Sequence, residues 1–444
     1  MISAAENVIE IITDFTATVM HYTQHTLRNG LRVILAPMAD VQSTTVLIMT
    51  GTGSRYESAR ENGLAHFLEH MVFKGTAKRP TARHISSELD AIGGAYNAFT
   101  GKDRTAYYAK VPAAHSDTAL DVISDVFLNA RLRSADIDKE RGAILQEINM
   151  YEDMPSRDIY HVFDALFYGD HPLGRPILGP KENIRAFTRA DLRAYLTRCY
   201  TPHNTVVCVS GRFNKQRVLS KIRADFAQMP RTEAPTCEPF RAAQDAPRVA
   251  IKHKATDQTQ FVLGMPACGA RHADRYAASV LATILGGGMS SRLFMEVREQ
   301  RGLAYSIHAG LEKQPDSGVL YIAAGVEHKH LAKTVRVVLD ECARLTRRVV
   351  TVRELTKAKE YLKGHLVLGL EGSDDIAQFL VGQELTHSRI LSPQEMMRRI
   401  DAVTAADVKR LARAYFVTEK LNLAVIGPHE DCAQELQSLL EVAY

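Results

Sequence analysis

Residues 63–75 read Gly-Leu-Ala-His-Phe-Leu-Glu-His-Met-Val-Phe-Lys-Gly and place His66 and His70 four positions apart, in the order H-x-x-E-H. A helix advances about 100° per residue, so residues three and four positions apart share one of its faces. In such a helix the side chains fall on two faces. Leu64, Leu68, Met71 and Val72 form an apolar face, and His66, Glu69, His70 and Phe73 lie on the opposite face. The stretch is predicted to be a helix that packs with one face and offers two imidazoles and a carboxylate with the other.

Two histidines at positions i and i+4 of a helix can bind one zinc ion through ring nitrogens about 2.0 Å from the metal. A structural zinc site uses four protein ligands, whereas a catalytic site leaves one position for water. His66 and His70 therefore call for one further protein ligand, with Glu69 free to act as the general base on zinc-bound water. The alternative is a polar helix that faces solvent and binds no metal.

The best candidate for the third ligand is Glu147, on a helix predicted for residues 134–151. Glu140 and Glu147 fall on the same face of this helix as two isoleucines. A buried carboxylate is costly unless it is protonated, paired or bound to a metal. Metal binding explains the pattern, and the alternative is an exposed helix whose glutamates pair with Lys139 and Arg141.

The overall composition narrows the class of protein. The chain has 444 residues, 45% of them apolar, with a net charge of +4 and a pI near 8.6. Its Lys and Arg residues are dispersed, which argues against a nucleic-acid partner. The cysteines form no C-x-x-C pair, so free thiols are predicted rather than a disulfide framework. They are Cys199, Cys208, Cys237, Cys268, Cys342 and Cys432.

Neither a leader nor a membrane segment is predicted. The first 20 residues contain Glu6, Glu10 and Asp14 and lack a basic start followed by an apolar run, as a signal peptide would have. The chain contains no apolar run of about 18 residues, the length needed for a membrane span. We therefore expect a cytoplasmic protein, or a periplasmic one if the sequence is a processed form.

An internal repeat divides the chain. Residues 188–211 resemble residues 404–427 at a constant offset of 216 positions, which indicates duplication of a helix-then-strand unit. A proline-rich stretch lies between the two copies and is predicted to be a linker. The predicted parts are a zinc-bearing α+β domain, the linker, and an α+β domain without a metal site (residues 1–230, 231–247 and 248–444).

The H-x-x-E-H order, with Glu147 located 77 positions after His70, resembles the pitrilysin/insulinase family of zinc metallopeptidases. These are inverted zincins, or inverzincins, and the short chain is most similar to their mitochondrial-processing-peptidase-like group. The resemblance implies that His66, His70 and Glu147 bind one Zn²⁺ per chain and that Glu69 is the catalytic base. It also implies that Glu140, seven positions before Glu147, supports the ligands from behind.

The same resemblance covers nearly the whole chain and implies its fold. The expected class is α+β, built from two homologous repeats. Each repeat would consist of a mostly antiparallel sheet with helices packed on one face.

Gly93-Gly94-Ala95-Tyr96-Asn97-Ala98 resembles the family's substrate-pairing edge strand. The resemblance implies that Asn97 and Ala98 bind the peptide backbone, with the substrate added to the sheet as a further strand. A hairpin without a binding role is the alternative for such a stretch.

Arg298 and Tyr305, seven positions apart, resemble a pair that holds the substrate backbone in this family. The resemblance places the Tyr305 hydroxyl near the developing oxyanion, where a phenolic donor can polarise a carbonyl. Without the resemblance, the sequence indicates that Arg298 is an ordinary exposed helix residue and that Tyr305 is a core residue.

The glycine run Gly286 to Gly288, followed by Met-Ser-Ser-Arg-Leu, is also similar to the family. It lacks the lysine of a phosphate-binding loop, so nucleotide binding is not predicted. We expect a flexible lining of the substrate chamber, with a plain turn beside a helix as the alternative. Residues 286–294 are also expected to correspond to the zinc helix of the first repeat, without its metal ligands.

The resulting prediction is a zinc endopeptidase that cleaves unfolded peptides or small proteins inside a closed chamber. Glu69 would deprotonate the attacking water and pass the proton to the leaving amine. The resemblance implies a homodimer or a heterodimer with a related subunit, and this chain carries both the zinc motif and the Arg298/Tyr305 pair. The alternatives are a non-catalytic scaffold like the core subunits of respiratory complexes, and a subunit that is active only in a hetero-pair.

Overall fold

The computed structural model of the chain describes residues 8–12, 20–230, 233–387, 389–430 and 432–443. The described residues form two compact units, each assembled from three segments. Unit 1 consists of Met1–Ile148, Pro176–Glu238 and Leu368–Ser392, and unit 2 consists of Asn149–Arg175, Pro239–Val367 and Pro393–Tyr444. The residues on which the absence of a signal peptide is predicted lie largely outside the described residues.

Unit 1 contains a mixed sheet, which we call sheet 1. Its described strands are β1 (Val8–Ile12), β2 (His21–Thr26), β3 (Arg32–Pro37), β4 (Ser43–Thr50), β5 (Ala95–Thr100), β6 (Thr105–Pro112) and β7 (Thr205–Gly211). Their order across the sheet is β1-β2-β3-β7-β4-β6-β5. Neighbouring strands are antiparallel except β3 and β7, which run parallel. Strand β5 therefore forms one edge of sheet 1.

Unit 2 contains a second mixed sheet, sheet 2. Its described strands are β8 (Arg248–His253), β9 (Thr259–Ala267), β10 (Ala304–Lys313), β11 (Gly318–Val326) and β12 (Asn422–Gly427). Their order is β10-β11-β9-β12-β8, and only β8 and β12 run parallel among the described strands. Strand β10 therefore forms an edge of sheet 2, as β5 does in sheet 1.

The helices connect and cover these sheets. Those in the described residues are α1 (Leu64–Val72), α2 (Ala82–Asp90), α3 (Ser116–Asn129), α4 (Ser134–Asp153), α5 (Pro155–Tyr168), α6 (Lys181–Ala186), α7 (Arg189–Cys199), α8 (Lys215–Asp225), α9 (Arg275–Gly286), α10 (Leu331–Arg347), α11 (Val352–Leu368), α12 (Ser373–Thr386), α13 (Pro393–Asp401), α14 (Ala405–Tyr415) and α15 (Ala433–Leu439). A π-helix spans Phe294–Glu299.

The two units repeat one arrangement of elements. In sheet 1 Arg32 pairs with Val206, and in sheet 2 Arg248 pairs with Asn422, so the parallel pair keeps the 216-residue offset. Helices α7 and α14, which precede the interior strands β7 and β12, each begin with a Thr-Asp capping box that satisfies two backbone N–H groups. The predicted fold class, α+β with two homologous repeats, is confirmed.

One helix from each half of the sequence packs on the sheet built from the other half, and so belongs to the compact unit that contains that sheet. Ile159, Phe163 and Phe167 of α5 pack on one face of sheet 2, while the remaining helices of unit 2 cover its opposite face. Helix α12 likewise packs against β3, β4 and β7 of sheet 1. The sequence predicts helices on one face of each sheet. The structure shows a further helix on the second face, α12 on sheet 1 and α5 on sheet 2. The division at residues 231–247 remains a prediction for the boundary between repeats.

The counterpart of the α1 helix in unit 2 differs from the expected one. Helix α9 packs on α14 as α1 packs on α7. Residues 286–291 form the end of α9 and the turn that follows, and residues 292–294 begin the helical segment that continues as the π-helix, so this range does not form the equivalent helix. Helix α9 contains no His, Cys, Asp or Glu, so its sequence offers none of the usual metal-binding side chains.

The connecting segments contain little regular structure. Residues 233–247, within the predicted linker, have neither helix nor strand. None of the described helices combines the length and the apolar composition required to cross a bilayer.

Candidate metal centre

The position of α1 is fixed at its first turn by a buried glutamate. Glu57 accepts hydrogen bonds from the backbone N–H groups of Gly63 and Ala65, at 2.9 and 2.6 Å, and from the Asn62 side chain at 3.1 Å. The first N–H groups of a helix lack partners within the helix, and Glu57 supplies acceptors for two of them, although burial raises the pKa of Glu57 to about 8. Gly63 has a φ of 108°, which favours glycine at this entry to the helix.

The two predicted faces of α1 are present in the structure. Leu64, Leu68, Met71 and Val72 are buried in unit 1. On the other side His66 is only 7% exposed, whereas Glu69 and His70 are half-buried. The helix therefore holds its polar side chains at the boundary between the protein interior and solvent.

Helix α4 brings the predicted third ligand to these histidines. Glu147 Oε2 lies 3.5 Å from His66 Nε2 and 3.4 Å from His70 Nε2. Ligand atoms of the three residues lie within 4.8 Å of one another, and no other such group occurs in the part of the chain that the structure describes. The buried Ile144 on the same helix anchors this face of α4 in unit 1.

The donor set fits a zinc ion. Two ligand atoms that are each about 2.0–2.1 Å from a tetrahedral ion lie about 3.3 Å apart, close to the observed separations. Three protein ligands of this type, two imidazoles and one carboxylate, are typical of a catalytic zinc site. His66, His70 and Glu147 are therefore the residues that could hold the metal.

Glu140 supports this arrangement from behind His70. Its carboxylate lies 2.8 Å from His70 Nδ1 and 2.5 Å from Lys74 Nζ. A hydrogen bond from Nδ1–H to a carboxylate leaves Nε2 as the nitrogen that can bind a metal, and it fixes the ring orientation. Glu140 is nearly buried, at 9% exposure, so these two partners account for its charge.

The electrostatics of the cluster favour a cation. Contacts with His66 and His70 hold the pKa of Glu147 well below its usual range. Burial lowers the pKa of His70, but hydrogen bonds to Glu140 and Glu147 outweigh that effect and raise it to about 9. Burial raises the pKa of Glu140, and its bonds with His70 and Lys74 more than reverse this effect. Both carboxylates are therefore ionised at neutral pH.

Glu69 stands apart from the three ligands. Among the described residues its carboxylate has one hydrogen-bond partner, the Thr100 hydroxyl, which donates to Oε2 at 2.5 Å. Thr100 ends strand β5 and is half-buried. The sequence analysis did not single out Thr100, although the β-strand alternation places it on the same face as Tyr96 and Ala98, opposite Asn97. The other oxygen of Glu69 has no hydrogen-bond partner among the described residues.

Strand β5 begins within the Gly93–Ala98 stretch and, among the described strands, pairs with β6 only, so it is both an edge strand and part of a hairpin. Asn97 is exposed, and its side-chain oxygen accepts the N–H of Ala98 at 2.9 Å. Edge strands present unpaired backbone groups that can bind another chain. The geometry thus suits the predicted role of Asn97 and Ala98, which stays a prediction.

Arg298 and Tyr305 lie together in unit 2. Arg298 is in the π-helix, and its guanidinium lies 4.9 Å from the centre of the Tyr305 ring and 4.7 Å from that of Phe294. The pairing of β10 with β11 shifts between Ala304 and Ser306, so Tyr305 is the extra residue of a β-bulge. Tyr305 is 79% exposed, which excludes the core position that its sequence context otherwise indicates.

The first glycine of the run, Gly286, lies where a larger side chain would not fit. A Cβ atom at Gly286 would lie 2.4 Å from the backbone nitrogen of Ala309. Arg292, just after the run, is bound by Glu354 at 2.8 Å, which fixes the end of the turn to α11. The run therefore permits close packing of α9 on β10, and its role beside substrate remains a prediction.

Comparison with known proteins gives matches along most of the chain. Residues 32–181 match the family described as Insulinase (Peptidase family M16), and residues 186–362 match the Peptidase M16 inactive domain. An uncharacterized zinc protease of Mycobacterium tuberculosis is 38% identical over 407 residues, which cover 91% of this chain and 92% of that protein. The uncharacterized zinc protease YmxG of Bacillus subtilis is 35% identical over 407 residues, covering 91% and 97%.

Solved structures share the fold. A crystal structure of a protease from Helicobacter pylori matches with a TM-score of 0.86 and 24% identity, over 92% of this chain and all of that one. A chain of Complex III2 from Candida albicans, bound to Inz-5, matches with a TM-score of 0.81 and 20% identity, over 95% and 99%. At these identities the structural matches establish the fold alone.

Proposed function

The chain belongs to the insulinase family of peptidases (family M16), and from that premise we propose that it is a zinc-dependent endopeptidase. The observation that carries the proposal is the convergence of His66, His70 and Glu147 beside a glutamate that is not part of the ligand set. Homologues named zinc proteases over nine-tenths of this chain support the metal. The products would be two shorter peptides, formed by hydrolysis of one peptide bond.

A zinc ion held by the three ligands would act as a Lewis acid on the scissile carbonyl and supply a nucleophilic water at neutral pH. Glu69 accepts the proton of the attacking water on the carboxylate oxygen that Thr100 does not bind. It then donates that proton to the nitrogen of the leaving amine, which completes hydrolysis without a covalent enzyme intermediate. Glu140 and Lys74 keep the His70 ring in the orientation that binding requires.

The edge of sheet 1 supports an extended peptide as the substrate. A peptide that adds to β5 must have its backbone free of other hydrogen bonds, and only unfolded segments satisfy that condition. We propose that Asn97 and Ala98 bind this backbone, and that Arg298 and Tyr305 hold it and stabilise the oxyanion. We further propose a chamber closed by a second subunit, identical or related, which would admit unfolded peptides and exclude folded proteins.

A scaffold without activity is the alternative from another functional class. The structural match to a chain of Complex III2 reflects the fold, and a fold by itself does not specify function. A scaffold has no physical need for a buried and a half-buried imidazole that converge with a carboxylate on one point. A subunit that is active only with a related partner is a third possibility, and it differs from our proposal in the number of chains required.

The direct test combines a metal assay with peptide digestion. We expect the purified chain to carry about one zinc per chain, as a single three-ligand site predicts, and to cleave unstructured peptides but not folded proteins. Chelation should abolish cleavage, and added Zn²⁺ should restore it. Protein without zinc and without activity, alone and with a related subunit, would support the scaffold.

Replacing Tyr305 with Phe tests the proposed clamp. The variant keeps the ring over Arg298 but loses the hydroxyl, so we expect kcat to fall about 100-fold, the loss seen when one oxyanion donor is removed. Its thermal stability should match that of the wild type, because Tyr305 is 79% exposed. The matched control is Tyr276→Phe, another tyrosine of unit 2 stacked on an arginine, whose kcat should not change. Unchanged kinetics for Tyr305→Phe would remove Tyr305 from the mechanism.

A further inference from the structure

Thr100 links the substrate-binding edge proposed above to the proposed base. Its hydroxyl donates to Glu69 Oε2 at 2.5 Å, and its backbone is the last residue of β5. Across the hairpin Thr100 pairs with Thr105, whose own hydroxyl is bound to the carbonyl of Thr52 at 2.9 Å. The strand end that carries Thr100 is therefore tied into sheet 1.

The Glu69 carboxylate is not oriented by any cationic side chain among the residues that the structure describes. In the described structure, no Lys, Arg or His lies within ion-pair distance of Glu69, and Thr100 is its one hydrogen-bond partner. A glutamate side chain has three rotatable bonds, so an unrestrained carboxylate points in several directions. Restricting it to the one direction needed for catalysis costs conformational entropy. Threonine is branched at Cβ and has few χ1 states, which makes it a stiff donor.

A proton acceptor works only when its lone pair faces the proton to be removed. Because Thr100 binds Oε2, the rotation of the carboxylate is restrained, and Oε1 is the oxygen without a hydrogen-bond partner among the described residues. The same residue ends the strand to which the substrate is proposed to add. A peptide bound in register on β5 and the oxygen that removes the proton are thus positioned by one short segment.

We propose that Thr100 is a positioning residue for the hydrolysis, acting through Glu69 by holding one carboxylate oxygen and directing the other at the attacking water. This inference rests on the proposed function, since it presupposes that Glu69 is the base. It assigns to Thr100 no contact with zinc and no role in folding beyond that of an ordinary strand residue.

The test compares Thr100→Val with Thr100→Ser. Valine keeps the shape and the branching but cannot donate, so kcat should fall about 10- to 100-fold with KM within about twofold, as expected for a misdirected catalytic group. Serine restores the donor, and kcat should return to within a few-fold of the wild type. Both variants should retain the wild-type zinc content and melting temperature.

Two controls separate positioning from structure. Thr26→Val changes another strand-ending threonine of sheet 1, one that is exposed, and should leave kcat unchanged. In the Glu69→Gln background, Thr100→Val should not alter the affinity for an uncleaved fluorescent peptide, which shows that substrate binding does not depend on the hydroxyl.

The outcomes distinguish the two proposals. A wild-type chain that binds zinc and cleaves peptide, with Thr100→Val equally active, overturns the role of Thr100 and leaves the proposed function standing. A loss of activity in Thr100→Val that follows loss of zinc or of thermal stability, or that serine does not repair, also overturns it. A wild-type chain without zinc and without activity overturns both.

Discussion

Glu69→Gln is expected to lower kcat for peptide cleavage by at least about 10³-fold, within the range that general acid–base catalysis contributes. This corresponds to about 4 kcal/mol of transition-state stabilisation. The amide has nearly the same shape as the carboxylate and can still accept from Thr100, but it cannot take a proton from water. Because Glu69 is not one of the three converging ligand residues, the zinc content should remain that of the wild type.

The measurement is steady-state cleavage of a fluorogenic peptide together with zinc content by mass spectrometry. Glu182→Gln provides the matched control, because it removes the charge of an exposed glutamate on α6, outside the cluster. Its activity should equal that of the wild type. Equal activity in Glu69→Gln would mean that another group is the base, and loss of zinc would mean that Glu69 is a ligand.

The sequence predicts the parts of this centre that depend on local geometry. His66, Glu69 and His70 share a face because of helical periodicity alone, and both α1 and the face of α4 that carries Glu140 and Glu147 follow from short patterns. The pairing of these two helices is a tertiary contact, and the 77 residues between His70 and Glu147 do not specify it. The carboxylate face of the second helix makes Glu147 the best candidate for the third ligand, and the resemblance to a family adds the expected spacing from His70.

Thr100 shows where sequence reasoning ends. Its bond to Glu69 joins a strand end to a helix 31 positions earlier in the chain, and no local period relates the two. The exposure of Tyr305 depends on a β-bulge, and a short apolar and polar pattern does not reveal a bulge. Both features need the backbone path before they can be identified.

Helices α5 and α12 are a second feature that the sequence alone does not predict. The apolar faces of α5 and α12 indicate that each must pack on something, but periodicity does not specify which sheet. Both repeats offer a sheet with a buried second face, so either partner would remove the same kind of surface from water. Neither periodicity nor the position of a proline-rich linker therefore gives the three segments of each compact unit.

Removing the carboxylate of the proposed ligand Glu147 should have the largest effect on zinc binding. In Glu147→Gln a neutral amide replaces an anion that lies 3.4 to 3.5 Å from both imidazoles. We expect zinc affinity to fall by more than about 100-fold, because losing even a supporting partner of a ligand costs about 10- to 100-fold. Peptide cleavage should be lost with the metal and should return, at least in part, at high Zn²⁺ concentration.

The zinc affinity of Glu147→Gln must be compared with that of Glu140→Gln. Both substitutions change one carboxylate on the same face of α4, but Glu140 contacts His70 Nδ1 and Lys74, not the nitrogens that face the site. Competition with a fluorescent chelator should give the highest zinc affinity for the wild type, a lower one for Glu140→Gln and the lowest for Glu147→Gln. The affinity of Glu140→Gln should be about 10- to 100-fold below that of the wild type. If both variants bound zinc equally well, Glu147 would not be a ligand, and the centre would have to be completed by a different side chain.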